Sequence, residues 1–155
     1  MTWQARYGAW LRLYGESGIL SVITGTACPC MSYKNRVGYS EEYHRLNPGS
    51  ADCLGTGLIS RTTTTTSIYF MVASKSALET SNPEMGAWLE SIGEIKNSDL
   101  FIKGVSNAST DAQVDISVYT EQNAFITYNS INYTIRDVFK TPKSTGMVGR
   151  LCRRT

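Results

Sequence analysis

Leu58-Ile59-Ser60-Arg61-Thr62-Thr63-Thr64-Thr65-Thr66-Ser67-Ile68-Tyr69-Phe70-Met71-Val72-Ala73 is the stretch that decides the fold class. Five consecutive threonines invite a low-complexity reading. Threonine's branched Cβ suits a half-exposed strand, however, and Ser67 to Val72 continue the run without Gly or Pro. One long strand is expected over 58–73, bent near Thr66.

Downstream, a β meander is expected. Ala87 to Glu94 leads into Asp99-Leu100-Phe101-Ile102-Lys103-Gly104. Apolar and polar residues alternate at period two in Gln113–Tyr119, Ala124–Tyr128 and Tyr133–Phe139, the signature of half-buried strands. Asn129-Ser130 reads as a two-residue hairpin turn between the last two of these. Met147 to Cys152 closes the chain as a final strand, with Cys152 expected as a buried core thiol. Between Ser74 and Pro83 the composition turns polar, so a surface connection is expected, with a helical turn near Ala77-Leu78.

Upstream, Ile19 to Thr24 is short and β-branched and reads as the first strand. Before it, Trp3, Tyr7, Trp10, Leu11 and Tyr14 fall on one stripe of a 3.6-residue period, and Gly15 and Gly18 stop that helix. The stripe docks either on its own domain or on a neighbouring subunit, since Trp and Tyr are favoured at interfaces. The expected fold is mostly β: a small antiparallel β-barrel or sandwich with an N-terminal helix and a long Cys/His loop. A chain of 155 residues is expected to form one domain, comprising the helix (1–18), the loop (28–57) and the barrel (58–155).

That loop carries the chemistry. Cys28, Cys30 and Cys53 and the chain's single histidine, His44, fall between the first strand and the long one. Thiolate sulfur and neutral imidazole nitrogen suit Zn2+, which takes four ligands in a tetrahedron; a closed Cys3His set would be structural and not catalytic. Glycines at 55 and 57 allow tight backbone beside a coordinated sulfur. Two other readings stand beside zinc: an irregular loop with small buried thiols, and a disulfide, although CxC neighbours bridge each other poorly.

Composition excludes several classes. A net charge of +2 does not mark a nucleic-acid binder. No apolar run approaches the ~18 residues of a membrane helix. Residues 1–6 lack the basic flank and apolar core of a signal peptide, so a reducing cytoplasm is expected, and the sequons at Asn107 and Asn132 are read as chance. No catalytic constellation is visible. His44 is engaged by the cysteines, Gly55-Thr56-Gly57 lacks the remainder of a phosphate loop, and Glu41, Glu42, Asp99, Asp111, Asp115 and Asp137 read as solvated charges. The chain is not expected to be an enzyme.

Taken in order, the N-terminal helix, the Cys28-Pro29-Cys30…Cys53-Leu54-Gly55-Thr56-Gly57 loop, the Thr-rich strand, Gly93 to Leu100, the hairpin Ile126–Ile135 and the terminal Leu151-Cys152-Arg153-Arg154 carry a likeness. The chain resembles the head-tail connector proteins of long-tailed bacteriophages, in the head-closure or "stopper" group. Ser130 stands where the usual turn glycine would be. The resemblance implies a virion protein of the neck, assembled in the host cytoplasm as a homo-oligomeric ring. Its implied partners are other copies of itself, portal or adaptor proteins, and tail-completion or tail-tube proteins. Double-stranded DNA would pass through its lumen, with no membrane involved. Interface residues implied are Trp3, Tyr7 and Trp10, with Arg150, Arg153 and Arg154. A competing class is a zinc-ribbon-like nucleic-acid-binding or adaptor protein using Lys34, Arg36 and Arg45 around the Cys loop.

Overall fold

The computed structural model describes residues 3–81, 83–119, 123–140 and 147–154, of which residues 3–5 and 81 are described by backbone alone. The chain divides into two compact units, Met1–Ser21 with Thr65–Thr155, and Val22–Thr64.

The first unit is the barrel. Six strands close on themselves in the order β1-β2-β3-β6-β5-β4. They are β1 (Glu16–Ala27), β2 (Leu58–Ala73), β3 (Leu100–Asn107), β4 (Ala124–Tyr128), β5 (Ile131–Lys140) and β6 (Met147–Arg153). The long Thr-rich strand is thus present in full as β2. Antiparallel registers join β2 to β3, β3 to β6, β6 to β5 and β5 to β4. Among the described residues, closure leaves the barrel unit with no open sheet edge and fills its interior with side chains. Leu20, Ile68, Phe70, Ile102, Val105, Ile126, Ile135 and Leu151 are all buried. The β4–β5 turn has both Asn129 and Ser130 at positive φ (49° and 63°), the left-handed pair that matches the twist of a two-residue hairpin.

A helix α1 (Trp3–Tyr14) precedes the barrel and docks on β3. The docking point is made by a bulge. β3 carries one extra residue opposite Phe70 and Met71, and Gly104 takes it up at φ +63°. A Cβ on Gly104 would lie 2.6 Å from the Tyr7 ring. Gly104→Ala is therefore expected to destabilise the barrel by about 2 kcal/mol or more, from left-handed strain plus displacement of Tyr7. Urea unfolding measures it, and a loss below roughly 0.5 kcal/mol would show that α1 docking does not depend on the bulge.

Three expectations are corrected. Ala87–Glu94 belongs to no strand: α4 (Pro83–Ser91) is a helix that follows α3 (Lys75–Ser81). Met85, Trp88, Leu89 and Ile92 form a helical stripe, and Leu78, Met85 and Leu89 pack with Phe101 and Val148 in one core cluster. Gln113–Tyr119 makes one bridge, Ser106 to Gln113, and then a 3-10 turn over Ile116–Val118. Asp115 accepts hydrogen bonds from the Ser117 N–H and hydroxyl and pairs with Lys140 at 2.8 Å, so a local turn displaces the ladder that the alternation suggested. Cys152 is half-exposed and not a core thiol.

The terminal arginines also divide. Arg153 and Arg154 are exposed, but Arg150 is buried at 6% exposure. Its guanidinium lies 3.3 Å from Asp99 and 3.4 Å from Asp137, and donates hydrogen bonds to the carbonyls of Ile92 and Glu94. Asp99, expected as a solvated charge, has a side chain only 2% exposed. Arg150 thus ties the 92–99 connection to the barrel wall and is not a surface contact residue.

Candidate metal centre

The second unit, Val22–Thr64, lies between the barrel portions of β1 and β2 in sequence. Within it, the 28–57 stretch is closed at its base by the Cys28 N–H donating to the Gly57 carbonyl at 2.8 Å. The intervening chain is not a structureless loop. Short 3-10 turns cover Pro29–Asn35, interrupted by non-helical backbone at Tyr33 and Lys34, and a short helix α2 spans Glu41–Leu46. Pro29 sits in the first turn of the former, where its fixed φ is already helical and its missing N–H is no loss. Ser40 caps α2 by accepting from the Tyr43 N–H at 3.2 Å, and Glu41 and Glu42 sit at the positive end of its dipole.

These two elements and the turn that begins at Cys53 bring together the four residues singled out in the sequence. The ligand atoms of Cys28, Cys30, His44 and Cys53 all lie within 4.8 Å of one another. The His44 Nε2 is 3.5 Å from the Cys28 sulfur and 3.6 Å from the Cys53 sulfur. The Cys30 and Cys53 sulfurs are 3.6 Å apart. All the cysteines are free thiols, so the disulfide reading does not hold. Cys28, Cys30 and Cys53 are 2%, 0% and 0% exposed, and with Met31, Tyr43 and Ile59 against them they form the core of this unit. Four convergent soft donors in a buried site can hold a metal ion.

Surrounding groups fix the donors. The His44 ring is stacked on Tyr39 (centroids 5.7 Å apart, 23° between planes) and meets Tyr43 edge-on at 5.4 Å. Tyr43 in turn meets Tyr33 edge-on, and Lys34 pairs with Glu42 at 2.9 Å, tying the 3-10 turn to α2. Burial pushes the Cys30 thiol up, against a backbone hydrogen bond at Ser40. Burial would also raise Cys53, but hydrogen bonds from the backbone at Gly57 and Gly55 and from His44 draw it below the ordinary thiol value. Amides aimed at sulfur stabilise thiolate, the form that ligates a metal. Gly57 is required here: its φ is +78°, and a Cβ would sit 3.0 Å from the Met31 sulfur. Leu54 holds a left-handed conformation (φ 52°), its N–H bonded to Asp52 Oδ1.

Sequence reasoning found the donors and missed the tyrosines around them. Tyr39 and Tyr43 flank His44 closely enough in sequence to have suggested a ring clamp. Comparison of the chain with protein families, with curated proteins and with solved structures finds no match in any of the three.

Proposed function

We propose that this chain is a structural, non-enzymatic subunit of the neck of a tailed phage, and that Cys28, Cys30, His44 and Cys53 hold one zinc ion that staples its second unit. The observation that carries the metal is the spacing of the donors. Zinc with bonds of about 2.3 Å to sulfur and about 2.0–2.1 Å to nitrogen, at tetrahedral angles, sets sulfurs ~3.8 Å apart and sulfur–nitrogen pairs ~3.6 Å apart. Of the six donor pairs, the Cys30–Cys53 sulfurs at 3.6 Å and the two sulfur–nitrogen pairs at 3.5 and 3.6 Å fit that figure, and all six lie within 4.8 Å. All four positions are protein donors, which leaves none for water or substrate and makes the ion a folding element. With His44 engaged there, the chain has no histidine left for acid–base work.

The neck reading draws support from the closed barrel led by a single helix, the architecture that the resemblance implies. It draws further support from α1. Leu11 is buried and Tyr7 faces Gly104, whereas Trp10, Leu13 and Tyr14 stand outward at 42%, 74% and 67% exposure. Trp10 stacks on Tyr7 and leans against Tyr14, so the outer face is an ordered aromatic surface. An apolar face of this kind suits a ring neighbour or the portal above it. Of the stripe expected at the interface, Tyr7 is turned inward, Trp10 remains, Leu13 and Tyr14 join it, and the Trp3 side chain lies outside the described residues. The nucleic-acid reading draws no such support: Lys34 is paired to Glu42, and the four cations of this unit, Lys34, Arg36, Arg45 and Arg61, stand against three carboxylates, Glu41, Glu42 and Asp52.

The test is assembly on portal complexes of the same phage, viewed by electron cryomicroscopy. The native chain is expected to form a ring below the portal. Trp10→Ser with Leu13→Ser is expected to keep its far-ultraviolet dichroism and zinc content and to lose assembly, leaving filled heads that leak DNA and lack tails. A native chain that never engages the portal overturns the neck reading. A double variant that assembles normally removes α1 from the interface.

A further inference from the structure

The donors of the Cys/His centre are shut away from water. Its three cysteines are buried, and the His44 side chain is only 9% exposed. A carboxylate stands where the centre comes nearest to solvent. Asp52 Oδ1 lies 3.8 Å from His44 Nε2, and the Asp52 side chain is 50% exposed. The other carboxylates of the unit are placed elsewhere, Glu42 on Lys34 and Glu41 exposed in the first turn of α2. Asp52 is held by its own turn, in which Oδ1 accepts the Leu54 N–H at 2.8 Å. An ionised carboxylate has about four lone-pair sites, so this bond leaves it able to hold an ion as well.

The spacing of Asp52 and His44 suits a shared ion. Zinc bonds run to about 2.0–2.2 Å for carboxylate oxygen and about 2.0–2.1 Å for imidazole nitrogen, so two of them reach about 4.1 Å end to end. One ion can therefore touch both side chains across 3.8 Å. Asp52 is not a resident ligand, because Cys28, Cys30, His44 and Cys53 already fill the four positions. It also lines a cleft of about 430 Å3, together with Ile59 and Arg61. Ile59 packs against the three thiols, so the cleft runs from solvent to the wall of the centre. Six waters occupy about 180 Å3 at ~30 Å3 each, so a hydrated ion fits the cleft. Arg61 repels a cation there, which leaves Asp52 as the one anionic group lining the way.

We infer that Asp52 is the exchange ligand of the metal centre: the ion leaves and enters the folded site through a position held jointly by Asp52 and His44. Each zinc–sulfur bond that breaks is replaced by a bond to the Asp52 carboxylate or to water, and the freed thiolate takes a proton from solvent. No oxidation state changes. Entry and exit share this route, so loss of the carboxylate slows both and leaves the affinity in place. The inference rests on the zinc reading and adds to it the path by which the ion moves.

The experiment mixes the full chain, with its zinc bound, with an excess of a chromophoric chelator and follows the transfer of zinc. Equilibrium competition against the same chelator gives the affinity. Asp52→Asn keeps an acceptor for the Leu54 N–H but loses the charge that holds an ion. It is expected to slow release by about tenfold or more, with affinity within about twofold of native. Asp52→Ala also strands the Leu54 N–H, loosens the turn beside Cys53, and is expected to weaken affinity and speed release. Glu41→Gln removes a charge from the same unit outside the cleft and is expected to change neither quantity. Native zinc content in the Asn and Gln variants certifies their fold. Release from Asp52→Asn at the native rate, or faster in the manner of the alanine variant, overturns the inference, as does equal slowing by Glu41→Gln. The two readings fail separately. Native protein purified without zinc overturns the metal reading and this inference with it, while zinc held by the four donors and released without regard to Asp52 overturns this inference alone.

Discussion

Chelation of the protein under reducing conditions is expected to unfold residues 28–57 and leave the barrel unit folded. The reason lies in what the second unit has for a core. Its fully buried apolar side chains are Cys28, Cys30 and Cys53, with Met31, Tyr43 and Ile59 only partly covered. A unit of roughly 40 residues is at the size where a metal or disulfide has to supply the missing burial. Apparent binding free energies of ~10–16 kcal/mol for structural zinc near neutral pH exceed anything three thiols and a few half-buried rings can contribute. Without the ion, the donors become a partly covered histidine and three crowded thiols. Amide exchange with and without chelator reads this out: 28–57 should exchange at unfolded rates while β3, β5 and β6 keep their protection. Equal protection in both states would sink the staple. So would elemental analysis that finds no zinc in protein purified without added metal, or zinc that survives Cys28→Ser with Cys53→Ser.

The second large effect belongs to Arg150. Replacing it with alanine is expected to cost the barrel about 3–5 kcal/mol, the usual penalty for breaking a buried pair and stranding its partner. Asp99, at 2% side-chain exposure, would be left with no cation beside it, and the carbonyls of Ile92 and Glu94 would lose their donor. Arg150→Met with Asp99→Leu should recover much of the loss, because no charge is then stranded at Asp99. Urea titration of the three proteins decides it. A loss below about 1 kcal/mol for Arg150→Ala would mean that water reaches Asp99 and solvates it.

Much of the barrel was legible because β-branched residues and period-two alternation do not depend on distant context. β2, β4, β5 and β6 fall close to where Leu58–Ala73, Ala124–Tyr128, Tyr133–Phe139 and Met147–Cys152 place them. The Cys/His cluster was legible because three thiols and the lone imidazole lie in one short stretch. What failed had a common cause in partners invisible from one segment. Alternation over Gln113–Tyr119 is real, yet Asp115 spends its carboxylate on Ser117 and Lys140, and the backbone follows the turn. The reading of 87–94 began after Met85, the first residue of the stripe that defines α4. Arg150 sits in a plausible alternating strand, and nothing near it in sequence announces Asp99. α2 left a local trace, Ser40 followed by two glutamates, but six residues are too few for a periodic signal.

The joining of Cys28 to Gly57 across the base of the second unit has a kinetic consequence. β1 and β2 are neighbours in the barrel, but the chain must close a loop of the whole 28–57 stretch before they can pair. An ion that gathers Cys28, Cys30, His44 and Cys53 early would shorten the effective loop to a few residues. Closure entropy grows as (3/2)RT ln n, so a contraction of that size lowers the cost of pairing β1 with β2 by about 2 kcal/mol. If the pairing belongs to the folding nucleus, that is on the order of a thirtyfold faster route to the closed barrel. The metal would then set the pace at which the barrel closes, although none of its ligands lies in the barrel unit.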